Sequence, residues 1–82
     1  MAPREWREGE RLRLEDVAAR LAPHLPRKTC ARQSVWHYET GRRDAPTSIA
    51  LAYEKISKGK VTSEDLHSVR REWLREQAKK AA

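Results

Sequence analysis

His24, Cys30 and His37 are the side chains best suited to hold a metal or act as nucleophile and base, and they stand six and seven residues apart. Zinc ligands usually come in close pairs such as CxxC or HxxxH, which place two donors on one turn. No such pair exists here, so each of the three is expected to be solvated or satisfied locally. No Ser, His and Asp set is recognisable as a nucleophile with its base. The 3 glycines fall in neither a GxxxxGK[ST] nor a GxGxxG arrangement, so no phosphate-cradling loop is expected. The sequence predicts no enzyme, no metal and no cofactor. Its remaining chemical capacity is hydrogen bonding and charge. Arg32, Gln33, Trp36 and His37 lie within one short stretch, bracketed by Lys28, Thr29, Ser34, Arg42 and Arg43.

Charge sharpens that focus. The chain carries 18 Lys+Arg against 12 Asp+Glu, a net charge of +6, with a pI near 10.0. Residues 1–26 are balanced, whereas Arg27, Lys28, Arg32, Arg42 and Arg43 face only Glu39, so the segment from Arg27 to Arg43 holds +4 of the excess. A basic cluster around one short segment makes nucleic acid the leading partner. At 82 residues, 37% charged and 38% hydrophobic, the chain has material for one small core. No apolar run is long enough to cross a bilayer and none reads as a secretory signal, so no membrane is expected. A single cysteine excludes an internal disulfide and fits a reducing cytoplasm. No small-molecule site is evident.

The elements that must position these residues are helices. Leu14, Val17, Ala18 and Leu21 recur at helical spacing, with Glu15 and Asp16 in the first turn, and Pro23 and Pro26 should stop this helix near Ala22. Ala31, Val35 and Tyr38 form a second stripe that ends at Gly41. Pro46 opens a third helix whose Ile49, Ala52, Tyr53 and Ile56 face inward and which Gly59 closes. Thr62 is placed to cap the last helix, with Asp65 three residues on and Val61 able to staple against Leu66. That helix should run to about Ala78, and Arg4 to Glu10 can form a short one that folds Trp6 onto the core. No strand pattern or internal repeat is present. The prediction is an all-α bundle of four or five helices.

The segment Ala31-Arg-Gln-Ser-Val-Trp-His-Tyr-Glu-Thr-Gly41, followed by Pro46, resembles the recognition helix of Cro/CI-type helix-turn-helix regulators. Val35, Tyr38, Glu39 and Gly41 match the family pattern in place, and Pro46 stands one residue beyond it. Leu14 to Leu21 resembles the first motif helix. The stretch from Pro46 to Leu66 is similar to short phage Cro-like repressors and YdaS-like antitoxins. The resemblance implies a lambda-repressor-like fold with an N-terminal arm or short helix at 1–11, a DNA-binding domain at 12–61 and a C-terminal helix at 62–82. The link from Ala22 to Thr29 is longer than the usual turn. Ala31 replaces the usual capping serine, so Thr29 is expected to cap instead, starting the helix about two residues early.

A helix in the major groove needs one apolar face toward its own protein and one donor-rich face toward base edges. The resemblance puts Arg32, Gln33, Trp36 and His37 on the groove side, Arg32 suited to guanine and Gln33 to adenine. Lys28, Thr29, Ser34, Arg42 and Arg43 are assigned to phosphates. The size of the Trp36 indole gives it a competing and stronger expectation, packing against the Pro23–Pro26 link. Glu39 is expected to be structural, pairing with an arginine or capping the amides of the next turn, and not a base reader. Leu66, Val69 and Trp73 on the last helix are candidates for a homodimer seam, although the same stripe could close the monomer core. The implied function is a repressor binding double-stranded DNA with inverted half-sites. The alternatives are a DNA-binding antitoxin, or an adaptor that kept the fold and lost DNA binding.

Overall fold

Five α-helices make up the computed structural model of the protein, which describes residues 1–81; Ala82, the end of the expected 62–82 segment, lies outside them. The helices are α1 (Pro3–Gly9), α2 (Leu14–Leu21), α3 (Arg32–Thr40), α4 (Thr47–Ile56) and α5 (Ser63–Ala81), with a 3-10 turn at Ala22–His24. No strand occurs among the described residues. The fold is a small all-α bundle.

Local chemistry sets most helix boundaries. Pro3 lies in the first turn of α1, where its missing N–H costs nothing, so this helix starts one residue before the expected Arg4. At the start of α2 the Arg13 amide donates to the Asp16 carboxylate at 2.8 Å. This bond holds the Asp16 carboxyl below its ordinary range. After Leu21 the chain passes Pro23 in the 3-10 turn, and Leu25, between Pro23 and Pro26, drops into the core at 8% exposure. Thr62 and Asp65 cap α5 reciprocally. The Thr62 amide donates to Asp65 at 2.8 Å, and the Asp65 amide to the Thr62 hydroxyl at 3.3 Å. The shorter acid thus completes the box, and its Oδ2 also accepts from the N-terminal amine at 2.9 Å. α5 continues to Ala81, past the expected end near Ala78, because Lys79, Lys80 and Ala81 are all good helix formers.

The start of α3 departs from expectation. Thr29 does not cap it; Ala31 is the N-cap residue, in extended conformation, and no side chain caps the helix. Lys28 lies in the left-handed region at φ 56°, its amide bonded to the Leu25 carbonyl at 3.0 Å. This turn keeps Thr29 outside the helix. Ala31, expected on the inward stripe, is consequently exposed.

Trp6, Val17, Leu21, Val35, Tyr53, Val61 and Leu66 lie at the centre of the core. α3 packs between α2 and α5, α4 also meets both, and α1 lies against α3. The end of α3 sits closest to α5. Gly41, at φ +80°, has no room for a Cβ, which would fall 2.6 Å from the Val69 carbonyl oxygen and 2.9 Å from Trp73 Cβ. Arg70 Nη1 donates to the Gly41 carbonyl at 2.8 Å, so α5 also caps α3.

Candidate nucleic-acid interface

α3 presents two chemically different faces. Val35, Tyr38 and Glu39 point inward, at 0%, 7% and 7% exposure. The buried Glu39 carboxylate is met by a two-pronged guanidinium: Arg7 Nε donates to Oε2 at 2.6 Å and Nη2 to Oε1 at 3.1 Å. Arg7 Nη1 also donates to the Leu12 carbonyl at 3.1 Å. The hydrogen bond to Glu39 raises the Arg7 pKa above its ordinary value. Glu39 thus pairs with an arginine, the first of the two structural roles expected of it, and the clasp ties α1 to α3. Nearby the Tyr53 hydroxyl is buried with no hydrogen-bond partner among the described residues, and burial pushes its pKa above the ordinary phenol range.

On the outward face Arg32, Gln33 and Trp36 are exposed and His37 is half-buried. Residues four apart share a helix face, so Arg32 stands one turn from Trp36 and Gln33 one turn from His37. Arg32 Nη1 lies 3.9 Å from Glu15 of α2, a loose contact between two exposed groups. The expected packing against the Pro23–Pro26 link does not bury Trp36. It remains 38% exposed, with the Arg42 guanidinium 4.8 Å from its ring centroid and the His37 ring 5.6 Å away. The physical reason is that Leu25 already fills the core beneath the link, while Arg42 supplies the indole with a surface partner.

The residues assigned to phosphates are less uniform. Arg42 and Arg43 are exposed just beyond α3, and neither makes an ion pair among the described residues. Thr29 is exposed before the helix and Ser34 is half-buried in its first turn. The Lys28 ammonium turns back onto the link, donating to the Pro23 carbonyl at 2.8 Å. Arg27, beside it, is exposed and unpaired among the described residues, and the charge count of its segment was the signal for it. No side chain among the described residues caps α3; within its first turn the Ser34 amide donates to the Ala31 carbonyl at 3.0 Å.

Of the three seam candidates, Leu66 is corrected. Leu66 is 3% exposed and belongs to the monomer core, so it cannot face a second chain. Val69 and Trp73 are half-buried against Gly41, and Arg70 lies over the Trp73 ring at 5.3 Å. Most of the stripe closes the protein's own bundle. Leu74, at 46% exposure, is the large apolar side chain that α5 leaves outside.

Among the described residues no three His, Cys, Asp or Glu side chains are grouped so as to hold a metal ion. Cys30 is half-buried, and burial pushes its thiol pKa up, away from the reactive thiolate. No helix among the described residues is long and apolar enough to cross a membrane. No protein-family model, curated protein or solved structure matches the chain.

Proposed function

We propose that the protein is a cytoplasmic, sequence-specific regulator that binds double-stranded DNA through a helix-turn-helix formed by α2, the link and α3. In this reading it is a repressor that occupies an operator as a homodimer and performs no chemistry of its own. The observation that carries the reading is the division of α3: a clasped inner face, and an outer face offering Arg32, Gln33, Trp36 and His37. Arg32 has the fork for guanine O6 and N7, and Gln33 the paired donor and acceptor for adenine. Arg27, Arg42 and Arg43 stand at the ends of the helix, suited to phosphates. Lys28 serves there only by leaving Pro23.

A gel shift with the DNA upstream of the protein's own gene tests this. A retarded complex that survives excess unrelated DNA supports the reading. No complex, or equal binding to both DNAs, rejects it and leaves the bundle as an interaction module.

A further inference from the structure

Trp36 is exposed on a surface otherwise built for hydrogen bonding. Of the large hydrophobic side chains left exposed among the described residues, it is the one on α3. Trp36 keeps 38% exposure beside a core that is already filled, so part of the indole is open to a ligand. The indole is also held in place. Arg42 covers part of one ring face at 4.8 Å, and His37 stands beside it at 5.6 Å with the rings tilted by 52°. A cation over an indole face is attracted by the ring quadrupole, which fixes both partners.

The surroundings decide what the covering group is. Arg32 lies one turn earlier on the same face, and Arg42 and Arg43 follow the helix. An apolar protein partner would have to desolvate these cations, whereas DNA neutralises them. On the floor of the major groove the large apolar group is the C5-methyl of thymine; cytosine has a hydrogen there. We propose that Trp36, stacked with Arg42, reads that methyl group, so that the protein selects thymine opposite the middle of α3. The inference rests on the DNA-binding reading and adds a base identity to it. Arg32 and Gln33 recognise hydrogen-bonding edges, and Trp36 recognises a methyl that offers no hydrogen bond.

The test begins with the duplex that the full-length chain selects from a random-sequence DNA pool. Affinities are measured at one fixed salt concentration for that duplex and for versions with deoxyuridine replacing each thymine in turn. Deoxyuridine removes the methyl and leaves every hydrogen-bonding group in place. The expected result is one position in each half-site where the replacement weakens binding about fourfold, the worth of one buried methyl-sized group. Trp36→Ala should bind the thymine duplex more weakly than the parent does and be indifferent to deoxyuridine at that position. If the parent binds thymine and deoxyuridine duplexes alike, methyl reading is overturned while DNA binding stands. Methyl reading is equally overturned if Trp36→Ala retains the discrimination. If no sequence is enriched and nothing binds above random DNA, both readings fall together. The comparison on the parent protein needs no variant, so a misfolded substitution cannot rescue the proposal.

Discussion

The two faces of α3 are built on opposite physical terms. The inner face puts a carboxylate at 7% exposure and satisfies it with a guanidinium from the N-terminal helix, 32 residues away. The outer face leaves arginine, glutamine and an indole in water, paired only loosely or with one another. Breaking the inner face should cost stability, and DNA binding only as folding is lost. Changing the outer face should leave stability nearly untouched.

The largest effect is expected at the clasp. Arg7→Ala would leave Glu39 charged, buried and unpaired, at a cost of about 3–5 kcal/mol in chemical denaturation. Replacing both partners with apolar residues of similar size, Arg7→Met with Glu39→Leu, should recover most of that loss. A mild Arg7→Ala would mean that the clasp opens in solution.

Trp73→Ala comes next. Since Trp73 packs half-buried against the Gly41 corner, its removal should lower the melting temperature by the equivalent of about 2 kcal/mol. Sedimentation should show the oligomeric state of the parent unchanged. A well-folded variant that changes from dimer to monomer would return this residue to a seam.

The α5 cap sets a smaller, pH-dependent effect. Burial disfavours the charged form of Asp65, but hydrogen bonds from the Thr62 amide, the N-terminal amine and the Thr62 hydroxyl outweigh it and hold its pKa below the ordinary value. A folded pKa below the unfolded one stabilises the protein above the ordinary carboxylate range, and this contribution is lost as pH falls through the folded pKa. Asp65→Ala should therefore cost about 1 kcal/mol at neutral pH, with the gap narrowing in acid melts. Smallest of all is Tyr53→Phe. It removes a buried hydroxyl without a partner among the described residues, so the melting temperature should stay level or rise, by up to about 1 kcal/mol.

The helices were legible because their signals are local. The spacing of Leu14, Val17, Ala18 and Leu21, the pair Thr62 and Asp65, and the stop at Gly41 each lie within a few residues of what they determine. For Glu39 the sequence left open an arginine partner or a cap on the next turn, and it did not point to Arg7, 32 residues away. Leu25 carries no periodicity between its prolines, so its burial appears only once the link is folded. The stripe of Leu66, Val69 and Trp73 shows the limit of periodicity, which reports that a face is covered and not by which chain. The exposure of Ala31 and Trp36 follows from the Lys28 turn and the Arg42 stack, neither of which has a pattern in the sequence.

The division between the faces of α3 is tested most directly by comparing the parent chain, Arg32→Ala and Gln33→Ala on the selected duplex and on random DNA, with melting temperatures recorded alongside. Each substitution should weaken binding to the selected duplex by about 1–3 kcal/mol, with little change on random DNA and melting temperatures near that of the parent. Equal losses on both DNAs, or losses that track a fall in melting temperature, would contradict that division.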